Sequence, residues 1–241
     1  MASNNKFESN LLKEIPAHDR LPGAASVSLT DLTHKVHRNV EDYGWHITVK
    51  KALAYLGRWI YFRQVYRIYR INLDAIKAHN TPAGQHFTFK LLTPQNVDMI
   101  AQVENTAEWL RGQVQERIAA GQLCLVALDG DKVAGFNLIN LKQASLVLVN
   151  RRKLLRQGDA WSEHIAVKKE FRRTGLGAQL RFKIFDELKS RGIHRFYGGT
   201  LRSNTASLKL TRSVGFKEIC DIQYVKLLFF ENWKYKRVRE Q

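Results

Sequence analysis

The sequence predicts an α/β fold in which helices flank a mixed central sheet. Short runs of alternating apolar and polar residues predict strands, and longer runs with apolar residues every three or four positions predict helices. Along the chain these patterns follow the order strand, two helices, two or three strands, then strand–helix–strand–helix with two closing strands. A chain of 241 residues suits one such domain plus an extension, or two small domains.

The first half of the predicted domain begins with a strand and ends with a hairpin. Thr93 and Pro94 predict a helix start, because threonine caps helices and proline is favoured at the first helical position. Asp129-Gly130-Asp131 predicts a hairpin turn, and Gly135 predicts a bulge in the strand that follows. The elements are a strand over residues 86–92, helices over 96–103 and 106–119, and strands over 122–128 and 132–141.

The second half is organised around residues 161–180, which predict a strand, a basic turn and the start of a helix. The strand ends on three apolar residues, and the turn carries two arginines and two glycines. Gly192 predicts the end of the helix, because glycine is favoured just after a last helical turn. The strand end covers residues 165–167, the turn 171–177, the helix 178–191 and a further strand 194–201.

The basic turn predicts an anion site. A turn that opens a helix directs several backbone N–H groups the same way, and the helix dipole lies behind them. Gly175 and Gly177 have no Cβ atom, so phosphate groups can approach the backbone closely. The alternative is an ordinary strand–turn–helix connection with a solvated basic loop.

Two signatures resemble those of the GNAT acetyltransferase superfamily. The turn fits the pyrophosphate-loop pattern Gln/Arg-x-x-Gly-x-Gly/Ala at Arg172, Gly175 and Gly177. Downstream, the pattern Asn-x-x-Ala-x-x-Leu-Tyr-x-x-x-Gly-Phe is matched at Asn204, Leu210, Gly215 and Phe216, with Ser207 where alanine is common. Their order and separation are those of the superfamily, and the resemblance covers residues 87–230.

The resemblance implies a cofactor site. In this superfamily two adjacent parallel strands splay apart, and the pantetheine arm of acetyl-CoA or another acyl-CoA lies in the gap; no metal is implied. A backbone N–H on the splayed strand, here that of Val167 or its neighbour, would polarise the thioester carbonyl. The cofactor-binding residues that it implies are Ile165, Ala166, Val167, Arg172, Arg173, Thr174, Gly175, Leu176, Gly177, Ala178 and Asn204.

The amine must lose a proton before it attacks, and two candidate bases are adjacent on the strand. Glu163 and His164 are these candidates. Strand alternation sends their side chains to opposite faces, so we expect one of them in the acceptor cavity. The alternatives are that His164 is a hydrogen-bonded core histidine and that Glu163 pairs with an arginine.

The position of the usual acid departs from the family pattern. Thr211 stands where many members carry a tyrosine that protonates the leaving thiolate. Tyr197 and Tyr224 are candidates to replace it, although no spacing favours either. The departure also leaves open a module that binds CoA or a partner without turnover.

The charge of the chain points to anionic partners. A net charge of +17 favours CoA, an acidic acyl carrier protein or anionic lipid, and a basic solvated surface is the alternative. Nucleic acid is disfavoured because we find no zinc-finger spacing and no ribonucleoprotein motif. The first residues lack the apolar run of a secretory signal, so we expect a cytoplasmic protein. If the protein binds lipid, we expect it to lie peripherally on the inner face of the membrane.

Four regions are predicted. Residues 1–42 form a poorly ordered arm, and residues 43–80 form a helical extension rich in Trp, Tyr, Lys and Arg. The extension resembles the N-terminal region of members associated with polysaccharide or lipid biosynthesis, and it packs on the domain, contacts a membrane or does both. Residues 85–232 form the acyltransferase domain, and residues 233–241 form a basic tail.

The function that the resemblance implies is direct transfer of an acyl group, most simply acetyl, from CoA to a primary amine. An amino sugar is the first expectation for the small-molecule acceptor. A long-chain N-acyltransferase that takes its acyl group from acyl carrier protein is the second, because of the +17 charge.

Overall fold

The computed structural model describes residue 45 and residues 61–76, 87–107, 110–146 and 151–238. These residues fall into two compact units. The larger unit comprises Tyr66–Asp221 and continues from Arg237, and the described part of the smaller unit is Trp45 with residues 61–65 and 222–236. The arm predicted over residues 1–42 lies outside the described residues.

Strands and helices follow the predicted order, preceded by an additional strand. The strands are β1 (Tyr61–Asn72), β2 (Thr88–Leu91), β3 (Leu123–Asp129), β4 (Lys132–Asn140), β5 (Gln143–Leu146), β6 (Arg151–Leu154), β7 (Asp159–Val167), β8 (Arg195–Leu201), β9 (Lys217–Leu227) and β10 (Phe230–Arg237). The helices are α1 (Val97–Thr106), α2 (Val114–Ala119), α3 (Leu176–Ser190) and α4 (Thr205–Ser213).

The larger unit is built on one mixed sheet. Its strands lie in the order β9-β1-β8-β7-β4-β3-β2, and β5 pairs separately with β6. β7 and β8 run parallel, whereas β4 pairs antiparallel with β7 and β1 pairs antiparallel with β8. The predicted α/β fold with a mixed sheet and flanking helices is confirmed.

The prediction of a helical extension across residues 43–80 is wrong for residues 61–72, which form the strand β1. Tyr66 and Tyr69 lie over Gly199 and Gly198 of β8, where any Cβ atom would collide with the tyrosine rings. Aromatic and β-branched residues suit such a half-buried, pleated surface. Tertiary packing therefore decides the structure here, and residues 46–60 and 77–80 lie outside the described residues.

Arg67 of β1 has a structural role. Its Nε and Nη2 atoms donate to the two carboxylate oxygens of Asp221 at 2.6 and 2.7 Å, and Nη1 pairs with Glu218. The guanidinium is buried, and this two-pronged pairing ties β1 to β9 within the larger unit. Arg67 is therefore not a surface cation available to lipid.

Apolar residues cover both faces of the sheet. On one face, Leu180, Ile184, Phe185 and Leu188 of α3 pack in a cluster with residues of β3, β4, β7 and β8. On the other face, α1 and α2 bury Ile100, Val103, Val114 and Ile118 against alternate residues of β3 and β4. The helical spacing of apolar residues predicted for α3 is confirmed, although the helix begins two residues earlier than expected.

Two irregularities interrupt the strand pairing. The β3–β4 register shifts between Ala127 and Leu128, directly beside Gly135, which agrees with the predicted bulge. A Cβ atom at Gly135 would lie 2.8 Å from the Ala166 carbonyl oxygen, so the close approach of β7 requires glycine there. The β4–β7 register shifts between Leu138 and Ile139, which leaves Glu163 as the additional residue on β7.

The smaller unit contains the hairpin of β9 and β10. The predicted tail over residues 233–241 belongs to β10 as far as Arg237. Trp233 and Tyr224 pack with their ring centroids 5.4 Å apart, and the Tyr224 hydroxyl bonds to Glu231 at 2.9 Å. The turn leaves Phe229 and Phe230 94% and 79% exposed.

Candidate functional site at the fork between two parallel strands

β7 and β8 separate near the middle of the sheet. Their parallel pairing runs from Asp159 and Arg195 to Ser162 and Gly198, and beyond these positions the described residues of β7 and β8 do not pair with each other. A cavity of about 200 Å³ lies at this fork. Side chains from β1, β7, α3 and α4 line it, among them Tyr66, Glu163, His164, Arg181, Asn204 and Ser207.

Glu163 and His164 both line the cavity, so the prediction that only one of them faces it is wrong. Simple alternation fails because Glu163 is the additional residue of the bulge, with Ser162 opposite Ile139 and His164 opposite Leu138. A bulge changes the direction in which the following side chains point. Both candidate bases therefore lie at one cavity.

Burial raises the pKa of Glu163 above its ordinary value. Hydrogen bonds from Ser145 and Asn140 oppose this shift, and the Asn140 amide nitrogen lies 3.1 Å from Glu163 Oε1. Arg117 and Arg152 act on the carboxylate through charge, but no arginine among the described residues forms a salt bridge with it. A carboxylate with a raised pKa is better matched to proton abstraction near neutral pH.

His164 is poorly suited to be the base. Burial, with a smaller contribution from the charge of Arg117, lowers its pKa to about 4. At neutral pH the ring is uncharged, and its affinity for a proton is low. Of the two predicted bases, Glu163 has the better chemistry, and His164 contributes a neutral hydrogen-bonding wall.

The His164 shift predicts acid sensitivity of the fold. Its pKa is lower in the folded state, so stability is fully present above pH 6.5 and is lost as pH falls towards 4. We expect a loss of about 3 kcal/mol in the free energy of unfolding from this group. Urea unfolding of the wild type and His164→Asn at several pH values measures it, because asparagine does not titrate. Parallel pH profiles for the two proteins would contradict the prediction.

The loop before α3 has the geometry of an anion site. Arg173 and Gly175 have positive φ angles of 68° and 85°, and Gly175 is the N-cap of α3. Among the described residues, no acceptor takes the N–H groups of residues 174–177. Successive N–H groups in such a conformation form a concave nest that favours anions. We therefore keep as a proposal the predicted binding of the cofactor by five residues of this loop, Arg173, Thr174, Gly175, Leu176 and Gly177.

Several of the residues predicted to bind the cofactor also make contacts within the protein. The Ala178 N–H donates to the Gly175 carbonyl at 3.0 Å, so Ala178 is already engaged within the turn. The Arg172 Nε donates to the Val167 carbonyl at 3.2 Å and holds the end of β7. A Cβ atom at Gly177 would lie 3.1 Å from Leu210 Cδ2, so this glycine permits close packing of α3 on α4.

The end of β7 offers N–H groups to the fork. The Lys168 N–H donates to Ala134 of the β4 chain at 2.9 Å, so that edge of the residue faces β4. N–H groups alternate in direction along a strand, which directs those of Val167 and Ile165 towards the unpaired side. Ala166 faces β4, where its carbonyl approaches Gly135. The predicted oxyanion donor, Val167 or its neighbour, thus has the required direction.

Asn204 and Thr211 are both engaged within α4. The Asn204 side chain accepts from the Ser207 N–H at 3.1 Å and caps the helix. The Thr211 hydroxyl donates to the Ser207 carbonyl at 2.8 Å and is buried. Thr211 therefore cannot serve as the missing acid, and neither Tyr197 nor Tyr224 lines the cavity.

Sequence reasoning missed Tyr66 and Arg181. Tyr66 lies on the strand that was expected to be a helix, and burial raises its pKa, which keeps the phenol protonated in the cavity. Arg181 lies four residues before Phe185 on the apolar side of α3, so the helical spacing of the sequence already indicated a buried cation.

Within the part of the chain that the structure describes, no group of three or more His, Cys, Asp or Glu side chains could hold a metal.

A mixed sheet whose parallel strands splay beside a glycine turn with open N–H groups is the architecture that the resemblance implied, that of an acyltransferase fold. Residues 89–216 match the family described as the acetyltransferase (GNAT) family, and the chain belongs to that family. GNAT enzymes use acetyl-CoA or another acyl-CoA as co-substrate. The predicted superfamily is confirmed.

The chain is similar to one curated protein and to several solved structures. It is 40% identical over 55 residues to the [ribosomal protein bS18]-alanine N-acetyltransferase of Salmonella typhimurium strain LT2, over 23% of this chain and 37% of that protein. A GCN5-related glucosamine N-acetyltransferase region of a fungal multi-domain GH3 β-N-acetylglucosaminidase superposes with a TM-score of 0.54 at 15% identity, over 72% of this chain and 22% of that one. A Drosophila protein superposes at 0.50 and 14% identity, over 77% and 58%. These structural likenesses show the fold alone.

Proposed function

We propose that this protein transfers an acyl group from CoA to a primary amine by direct attack. The observation that carries the proposal is Glu163, a carboxylate with a raised pKa that the β7 bulge directs into the fork cavity. The open N–H nest before α3 supports a diphosphate-bearing donor. Family membership supports the same reaction class.

The proposed chemistry needs a base and an oxyanion donor. Glu163 accepts a proton from the amine, whose nitrogen forms a bond to the thioester carbon while the carbon–sulfur bond breaks. The N–H of Val167 or Ile165 stabilises the negative charge that develops on the carbonyl oxygen. His164 is uncharged near neutral pH, because burial lowers its pKa to about 4. Its ring therefore helps to position the amine without competing with Glu163 for the amine proton.

The acceptor that we propose is a small primary amine, with an amino sugar as the first choice. The partial match to a ribosomal-protein alanine N-acetyltransferase supports a peptide N-terminus as the second choice. An acidic acyl carrier protein remains the alternative donor because the chain carries a net charge of +17.

A transfer assay with the full chain tests this function. Acetyl-CoA is supplied with glucosamine, an alanine-terminated peptide or a simple alkylamine, and release of the CoA thiol is measured against a reaction without amine. We expect amine-dependent thiol release with at least one acceptor. CoA binding without turnover on any amine would instead support a non-catalytic module, and release from acyl carrier protein alone would identify the alternative donor.

We also propose peripheral contact with anionic membranes through the β9–β10 turn. Leu227, Leu228, Phe229 and Phe230 are 50%, 51%, 94% and 79% exposed at this turn. Lys226, Lys234 and Lys236 lie on the same two strands. Exposed apolar residues next to cations suit insertion at an anionic bilayer surface. Among the helices that the structure describes, none has the length and hydrophobicity that a membrane span requires.

Vesicle sedimentation measures this contact. The wild type should sediment with phosphatidylserine-containing vesicles at low salt and remain in solution with neutral ones or at high salt. Phe229→Ser with Phe230→Ser should abolish binding, whereas Leu154→Ser is the matched control, because Leu154 is 78% exposed on β6. Equal binding by the double variant would assign lipid contact to another surface.

A further inference from the structure

A guanidinium without an acidic partner lies at the fork cavity on the side of α3. Arg181 is 1% exposed and lines the cavity. No Asp or Glu among the described residues pairs with it; burial lowers the pKa of the guanidinium, and Tyr69 partly opposes this shift. Removing a charge from water is costly unless an opposite charge or several hydrogen bonds compensate.

The surroundings of Arg181 fix its position but supply no negative charge. Nη1 donates to the Ser162 hydroxyl at 2.8 Å, and Tyr69 is a second hydrogen-bond partner. The guanidinium carbon lies 5.5 Å from the ring centroids of both Phe196 and Phe216. Stacked rings stabilise a cation and exclude water. The guanidinium is therefore held by two hydrogen bonds between two aromatic rings.

Two buried donors beside Ser162 have no acceptor. Arg181 Nε and Asn137 Nδ2 have no hydrogen-bond partner among the described residues. Asn137 is fully buried, and its Oδ1 lies 3.5 Å from the Ser162 hydroxyl, which itself accepts from Arg181. Buried donors are rarely left unpaired in native proteins. Of the two residues, Arg181 lines the cavity, so a group that enters there, accepts several hydrogen bonds and carries negative charge, such as a carboxylate, would pair with its guanidinium.

The two faces of the sheet at the fork present different residues. Ile165 and Val167 of β7 pack with the α3 cluster, whereas Ala166, two residues from His164, packs with the α1–α2 cluster. Alternation places His164 on the α1–α2 side with Ala166, and Arg181 belongs to α3. An amine that is deprotonated by Glu163 approaches beside His164. The tail of the acyl group then lies on the other side of the sheet, where Arg181 is located.

We propose that the acyl group transferred here ends in a carboxylate that Arg181 binds, as in a malonyl or succinyl thioester. The inference rests on the proposed function and specifies its donor. The amine nitrogen–carbon bond forms and the carbon–sulfur bond breaks, Glu163 receives the amine proton, and the thiolate is protonated by solvent. The distal carboxylate remains ionised and unchanged throughout. The product is an amide with a terminal carboxylate, so the acceptor loses a basic group and gains an acidic one.

Binding constants for matched thioesters test the proposal with the full chain. Calorimetry compares free CoA, acetyl-CoA, butyryl-CoA and succinyl-CoA, of which the last two have four-carbon acyl groups and differ in the carboxylate. We expect succinyl-CoA to bind at least about 10-fold more tightly than butyryl-CoA, the usual contribution of a hydrogen-bonded charged pair. In Arg181→Met this ratio should fall to about 1, while free CoA binds as in the wild type.

The comparison of succinyl-CoA with butyryl-CoA on the wild type tests the proposed donor even if a variant does not fold. A succinyl-to-butyryl ratio of 1 or less in a wild-type protein that binds free CoA would overturn the dicarboxylic donor and leave the proposed function standing. Failure to bind any CoA compound would instead overturn the proposed function itself. Arg181→Lys keeps the charge but not the forked geometry, so it should retain part of the preference for succinyl-CoA over butyryl-CoA.

Discussion

Glu163→Gln is expected to lower the turnover number by roughly 100-fold or more, the usual contribution of a general base. Glutamine preserves the shape of the side chain and its carbonyl can still accept the hydrogen bond from Asn140. It cannot accept a proton from the amine. CoA affinity should hardly change, because the nest before α3 is built from other residues. Steady-state kinetics with the best acceptor, together with calorimetry for CoA, separate the two effects.

The pH profile of the same variant supplies a second readout. Burial raises the pKa of Glu163, and the deprotonated form is the active one. Activity of the wild type should therefore be lost as pH falls through a value above the ordinary 4.5 of a glutamate. The limb that belongs to Glu163 should be absent in Glu163→Gln, and any limb that remains belongs to the acceptor amine.

Glu170→Gln is the matched control for this prediction. It makes the same chemical change at an exposed glutamate on the 3₁₀ turn that follows β7. The control should keep wild-type turnover and the wild-type pH profile. If Glu163→Gln and Glu170→Gln are equally active from pH 6 to 9, then Glu163 is not the base.

Local patterns predict the centre of this fold well. The strand end at residues 165–167, the glycine turn and the apolar face of α3 depend on residues close together in the sequence. The cap at Asn204 is equally local, because its partner is Ser207. Such features are determined by spacing and by preferences for caps and turns, which a single sequence displays.

The features that define the candidate site depend on distant partners. The bulge at Glu163 arises from the register between β4 and β7, which the sequence of β7 alone does not contain. β1 is a strand because Gly198 and Gly199, more than a hundred residues away, leave room for its tyrosine rings. That Arg181 Nε has no partner among the described residues depends equally on what surrounds α3 in three dimensions. These properties are determined by tertiary packing, which overrides local preference.

Gly175→Asp is expected to weaken CoA binding by roughly 100-fold or more, because like charges brought together cost several kcal/mol. Gly175 is a better position for this test than Gly177, where a side chain would also press on Leu210. A Cβ atom at Gly175 meets no atom within 4 Å. Aspartate tolerates the left-handed backbone better than most residues, and its carboxylate is favourable at a helix N-terminus. The fold should therefore be kept while the anion site is occupied by the protein's own charge.

Gly175→Asn separates charge from conformation, since asparagine has the size of aspartate and the same tolerance of the 85° φ angle. Calorimetry with free CoA should give a small loss for asparagine and a large one for aspartate, with the difference shrinking as salt rises. Dephospho-CoA or pantetheine, which lack one or all of the nucleotide phosphates, should show progressively less difference between the two variants. If aspartate and asparagine weaken CoA binding equally, the N–H groups of residues 174–177 do not bind the pyrophosphate.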